Sequence, residues 1–285
     1  MITATRYRAL AEINRQSALS ADVARAQSDI STGKRIEKPS DDPIASARIS
    51  QLRRAQADTE VWARNIQTAK SIAAQVDTAM GDMAGIFNRV KELTLAGRTE
   101  SVSDADRSAI VLELNQLRGS LTNLSTSTTP TGQALFPVDA PLRISTSATQ
   151  RLPATAQRSD VFDGVSTSQG SQSLDWVIGQ AITAISNSDV NVRRTAAATA
   201  LDDIDKAVVQ VTNQRAAQGL RAGQLDDAAD ALVEATTQLS EERSSLEDTD
   251  VAATVMRLNA KTLALQAAQA AFAKVNRNTL FDFLS

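Results

Sequence analysis

The sequence predicts a mainly α fold: an elongated, antiparallel bundle of long helices, with the N- and C-terminal helices paired and a small β-rich tip. Three observations predict it. Apolar residues recur every three or four positions over most of the chain, the period of one helical face. Packing must come from Ala, Leu, Val and Ile, because apolar residues are 42% and aromatics only 3%. Only 11 Gly and 6 Pro occur in 285 residues, so few positions oppose a helix.

The first helix is predicted from Ala4 to about Thr32. Leu10 and Ile13 open it, and Leu19, Val23, Ala26 and Ile30 follow on one stripe. Gly33 suits the position just past a helix end. Asp42 and Pro43 then suit an N-cap and a first helical residue. The second helix runs to about Ala96, with a coiled-coil-like seam of Ala73, Val76, Met80, Met83, Phe87 and Val90, and Gly97 ends it. About 50 helical residues span about 75 Å, too long for a compact globule.

Ser103 restarts the chain, with Asp106 at the capping-box spacing. The stripe behind it is Ile110, Leu114, Leu117, Leu121 and Leu124. From Ser125 to Ser173 Ser, Thr, Pro, Gly and Gln dominate around "QALFPV", "PLRIS" and "SDVFDG". This segment reads as turns with short strands at the far end of the bundle. Helix resumes near Leu174 with Trp176, Ile178, Ile182 and Ile185. A long helix from about Val190 to Leu246 carries Leu201, Ile204, Val208, Val211, Leu225, Ala228, Leu232, Ala235 and Leu239. Asp248 or Thr249 is expected to cap a last helix bearing Val251, Val255, Leu258, Leu265, Phe272 and Val275.

The breaks near both ends imply a segmented organisation. Residues 1–33 with 249–285 form a terminal coiled-coil segment. Residues 34–130 with 174–248 form a helical bundle, and 131–173 form the insert. The terminal helices expose too much apolar surface for one pair to cover. They are expected to be loose in a single molecule and to order against other copies. The run "ALQAAQAAFA", Ala264 to Ala273, is small or apolar nearly all round and asks for partners all round.

Composition excludes much chemistry. There is no Cys and no His, so thiol chemistry, the commonest general base and the commonest metal ligand are missing. Net charge is -3, which gives no reason to expect nucleic-acid or anionic-membrane binding. No run of apolar residues is long enough to span a bilayer. The N-terminus lacks the pattern of a cleaved secretory signal, so the expectation is residence in the cytosol or export by a route that cleaves none.

"STGKR" lacks the first Gly of a phosphate loop and has Arg35 where Ser or Thr binds magnesium. Ser31 and Lys34 match S-x-x-K, but the companion S-D-N and K-T-G motifs are absent. Asp202, Asp203 and Asp205, and the pair Asp226 and Asp227, lack the Gly and terminal Glu of a calcium loop and read as solvated faces. No catalytic, cofactor-binding or metal residues are expected, and no enzyme.

At this point the sequence resembles a known family. "ISTGKRIEKPSDDPIASARI", "SVSDADRSAIVLELNQL" and "SLEDTDVAATVMRLNAKTLALQAAQAAFAKVN" are similar, in the same order, to the helical blocks of the bacterial flagellin superfamily. Pro39-Ser40-Asp41-Asp42-Pro43 and the ending "NTLFDFLS" resemble its hook–filament junction branch. The short insert departs from members with large outer domains. The resemblance implies a structural subunit of the bacterial flagellum, exported through the flagellar type III apparatus and extracellular. It implies as partners copies of itself, the adjacent junction protein, flagellin, and an export chaperone on the C-terminal helix.

Expected assembly residues are Leu10, Ile13, Leu19, Val23, Ile30, Val251, Val255, Leu258, Leu265, Phe272, Val275, Phe281 and Phe283. Gly33, Lys34, Arg35, Asp41, Asp42 and Pro43 are expected to form a joint between rods. The alternatives are a filament flagellin and, more distantly, a cytosolic coiled-coil adaptor.

Overall fold

In a computed structural model of the chain, residues Ile2–Phe281 are described. In order they form α1 (Ile2–Thr32), α2 (Pro43–Gly97), α3 (Asp104–Ser125), β1 (Arg143–Ser145), β2 (Arg151–Pro153), α4 (Arg158–Phe162), β3 (Val165–Thr167), β4 (Gly170–Gln172), α5 (Leu174–Ser186), α6 (Val190–Glu247) and α7 (Val251–Phe281). The chain divides into two compact units, residues 58–235 and the two ends, 1–57 with 236–285. Among the described residues no helix is long and apolar enough to cross a membrane.

In the unit 58–235, α2 and α6 run antiparallel. Ion pairs step along them in opposite directions: Lys70 to Asp226, Asp77 to Arg215, Lys91 to Asp205. Arg89 ties α2 to Glu113 of α3, and Arg118 forks onto Asp175 of α5. These pairs are exposed and set alignment more than stability. Burial drives the packing: Ala73, Val76, Met80, Met83, Phe87 and Val90 are all in the core, with Leu114, Leu121, Ile178, Ile185, Ile204, Val211 and Leu225. The 3.5-residue spacing of the α2 seam keeps one face toward its neighbours for about five helical turns.

Gly97, the last residue of α2, has a packing role. A Cβ there would lie 2.9 Å from Cγ2 of Ile185, so the absent side chain lets α5 approach. The Ser103 cap forms as the spacing predicts: its Oγ accepts from Asp106 N at 3.1 Å and donates to Asp106 Oδ2 at 2.7 Å.

The insert is small and β-poor in length but not detached. β1 pairs with β2 and β3 with β4, each pair antiparallel and two-stranded. "PLRIS" supplies β1, whereas "SDVFDG" contains the short helix α4. Its place differs from the far-end position that composition suggests. Asn65 of α2 donates to Ser145 O, Gln210 of α6 to Asp160 O, and buried Gln218 to Ala154 O at 3.0 Å. The buried Gln218 bond satisfies an Ala154 carbonyl that would otherwise be unpaired away from water, and the three bonds together hold the insert along the flank of α2 and α6. Leu135, Phe136, Val161, Phe162 and Val165 join the core, with the rings of Phe136 and Phe162 edge to face at 5.1 Å.

In the unit formed by the two ends, α1 and α7 pack antiparallel: Asp22 pairs with Lys261, while Gln16 reaches Ala268 O. α7 is capped by Asp250 rather than by Asp248 or Thr249. Asp250 Oδ1 accepts from Ala253 N at 3.0 Å. The backbones of the other two are committed elsewhere, as the next section describes.

Candidate assembly surface and inter-helix joint

The segment between α1 and α2 turns because Gly33 has φ 69°, a conformation that costs a residue with a Cβ. Beyond it the chain pairs with the segment between α6 and α7. Thr249 N donates to Gly33 O at 2.9 Å, Arg35 N donates to Glu247 O at 2.8 Å, and Lys34 bridges Asp248. The two connections thus form a minimal antiparallel clasp, 213 residues apart in sequence across Lys34 and Glu247.

Side chains close the clasp. Glu247 is 4% exposed. Its Oε1 accepts Lys34 Nζ at 2.7 Å and Arg53 at 2.6 Å, and Arg243 Nε lies 3.6 Å from Oε2. Burial pushes the Glu247 carboxyl up, but the hydrogen bonds and charges of Lys34 and Arg53 outweigh it and hold it below the usual glutamate value. Arg35 also donates to Leu246 O. Arg243 continues to Gln56, and Arg48 pairs with Glu242, so α2 and α6 are locked together next to the clasp.

The acidic pair divides its work. Asp41 Oδ2 accepts from Lys38 N at 2.9 Å and Glu37 N at 3.2 Å. The hydrogen bond from Lys38 chiefly keeps its carboxyl below the ordinary aspartate value, aided by Glu37 N and the charge of Arg25. Asp42 Oδ1 caps α2 by accepting from Ala45 N at 3.0 Å, with Pro43 as first helical residue. Gly33, Lys34, Arg35, Asp41, Asp42 and Pro43 are thus brought together at the connection between α1 and α2. Glu247, Arg53 and Arg243 carry no sequence signal for it: each is an ordinary charge within a long helix, joined only by folding.

The candidate assembly residues fall into two sets. Leu19, Val23 and Ile30 of α1, with buried Ala26, and Leu258, Leu265 and Phe272 of α7 are half-buried. The α1 residues are three and four apart and the α7 residues seven apart, so each set keeps to one stripe, and the two stripes form the seam between the helices. Leu10, Ile13 and Val255 lie off that seam, and Val251 stands at its start in α7; all four are exposed, Leu10 by 57%. The side chains of Val275 and Phe281, and residue Phe283, lie outside the described residues.

A further stripe on α7 was not anticipated residue by residue. Met256, Ala260, Leu263, Ala267, Ala270 and Ala271 are all exposed, Met256 and Leu263 by 68% each. They share one face over about four turns, and no charged residue falls among them. An uncharged stripe facing away from the α1 seam is what a helix presents to a second neighbour. The signal was present in "ALQAAQAAFA", which begins inside this stripe.

Comparison with known proteins gives concordant findings. The bacterial flagellin N-terminal helical region matches residues 4–138, and the C-terminal helical region matches residues 201–284. Flagellar hook-associated protein 3 of Escherichia coli is 27% identical, over 89% of this chain and 90% of that one. The protein of the same name from Salmonella typhimurium is 33% identical, but over only 38% of this chain and 34% of that one. Flagellin of Bacillus subtilis is 25% identical over 94% of each chain. Among solved structures, flagellar hook associated protein-3 of Legionella pneumophila aligns with TM-score 0.62 at 12% identity. That alignment covers 70% of this chain and 98% of that one. FlgL of Xanthomonas campestris aligns with TM-score 0.56 at 15% identity, covering 66% and 99%. The structural likenesses speak for the fold.

Proposed function

Because the chain belongs to the bacterial flagellin family, we propose that it is a structural subunit of the flagellum, joining hook to filament. Its terminal helices assemble with copies of itself and with adjacent junction protein and flagellin. The observation that carries this reading is the division of apolar surface on α7. One seam faces α1, and a second stripe, Met256 to Ala271, is exposed among the described residues. A helix with two apolar faces and one intramolecular partner is completed by other molecules.

The two curated relatives named for hook association support the junction over the filament. So does the loop Pro39 to Pro43, whose Asp42 and Pro43 start α2. The alternative, a filament flagellin, draws on the Bacillus subtilis relative. In the junction reading the subunit leaves through the type III apparatus without signal cleavage, guarded by a chaperone on α7, and works outside the cell. The role is mechanical rather than catalytic. The clasp at Gly33 and Thr249 fixes where the terminal pair meets α2 and α6, so that strain between neighbours is absorbed there.

Deletion of the gene, followed by electron microscopy, tests the assignment. The junction role predicts intact hooks that bear no filaments, with flagellin lost to the medium. Filaments of normal length on the deletion strain would overturn it. Copies per flagellum separate the alternatives, since a junction ring is small and a filament is not.

A further inference from the structure

The chain has no Cys, so methionine sulfur is its most readily oxidised group. Four methionines occur in the sequence. Met80 and Met83 are fully buried in the core of the unit 58–235, each 0% exposed. Met1 lies outside the described residues. Met256 alone among the described residues offers its thioether to solvent, and it stands at the first position of the uncharged α7 stripe, one turn before Ala260.

We propose that Met256 is an oxidation site that controls whether this stripe can join another copy. The inference rests on the assembly reading above and names a regulation of that surface. The reaction needs only a hydroperoxide. A sulfur lone pair attacks the peroxide oxygen, an S–O bond forms as the O–O bond breaks, and a proton moves to the leaving oxygen. With hydrogen peroxide the products are methionine sulfoxide and water: sulfur loses two electrons and the peroxide gains them. The sulfoxide is polar and accepts hydrogen bonds. The stripe, Ala260, Leu263, Ala267, Ala270 and Ala271, has no side-chain donor to offer it. Burying it against an apolar face of a second copy leaves an unsatisfied acceptor. The free subunit can make the sulfoxide without unfolding. The joined subunit, with the stripe covered, resists it.

Purified protein is treated with hydrogen peroxide, and each methionine is followed by peptide mass spectrometry. Assembly is read by sedimentation and electron microscopy, for the wild type, Met256→Leu and Met256→Gln. Met256 is expected to oxidise well ahead of Met80 and Met83, and to be protected after assembly. Oxidation raises the concentration needed for assembly by about tenfold, the factor that follows from losing one apolar contact. Met256→Leu, which has no thioether at 256, shows the same assembly threshold with and without peroxide, even if Met1 is oxidised. Met256→Gln, polar at the same length, behaves like the oxidised protein without treatment. Oxidised wild type that assembles normally overturns the proposal, as does a Met256→Leu protein that stays peroxide-sensitive. Untreated wild type that never assembles overturns the assembly reading itself, and the inference with it.

Discussion

Replacing Glu247 by Gln removes the one negative charge that Lys34, Arg53 and Arg243 share while keeping the side chain's size. Gln offers a single carbonyl where two carboxylate oxygens had stood, and puts an amide beside the third cation. A charge-assisted hydrogen bond contributes about 1.5–3 kcal/mol when well shielded. Lys34 and Arg53 are about half exposed, however, and recover part of their hydration when released. The loss is therefore about 2 kcal/mol for the set, below the 3–5 kcal/mol of a fully buried pair. Urea unfolding gives the stability, and hydrogen exchange gives its location. The amides of Arg35 and Thr249, which donate across the clasp, should lose protection first.

The acid limb supplies an internal control. The Glu247 carboxyl is held below its usual value in the folded chain. Its contribution is complete above the unfolded glutamate pKa, about 4.3, and is lost as pH falls through the lower folded value. The gap between wild type and Glu247→Gln should therefore narrow in acid and stay constant at neutral pH. A change in stability below about 0.3 kcal/mol, within the range of ordinary surface substitutions, with unchanged exchange at Arg35 and Thr249, would refute the clasp as an energetic unit.

Other consequences follow from single positions. Gly33→Val places a β-branched residue at φ 69° and should cost at least about 1–2 kcal/mol, with motility and assembly impaired in a swarming assay. Gly97→Ala brings a methyl to 2.9 Å from Ile185 Cγ2, and the crowding should cost about 1–3 kcal/mol in thermal unfolding. Asp42→Ala removes the α2 cap and should cost about 1 kcal/mol, measured by urea unfolding, with Asp42→Asn recovering most of it.

The features legible in the sequence were those with a local cause. The α2 seam from Ala73 to Val90 shows because burial on one face imposes its period. Gly33, Asp42 and Pro43 show because φ, a cap and a missing N–H are properties of single residues. Leu10 and Ile13 were legible as apolar, but not as residues outside the α1–α7 seam, because a weakly amphipathic helix does not say which stripe its partner takes. The position of the insert is not legible for a different reason. Asn65, Gln210 and Gln218 hold it through side-chain bonds to backbone 50 to 80 residues away, and no periodicity records such contacts. Asp250 does not stand out as the cap in the sequence, because Asp248 and Thr249 offer the same side-chain chemistry, and only the clasp removes them from competition. Glu247 is the clearest omission: its three cations come from two other stretches of chain and one preceding helical turn.

The central claim is that the exposed α7 stripe is completed by other copies, and Leu263→Asp tests it most directly. Leu263 is 68% exposed, so the substitution should leave the monomer's stability within about 0.5 kcal/mol of wild type. Sedimentation over a concentration series should show wild type growing into ordered assemblies while Leu263→Asp remains monomeric. An Asp variant that assembles at the wild-type concentration would contradict the account.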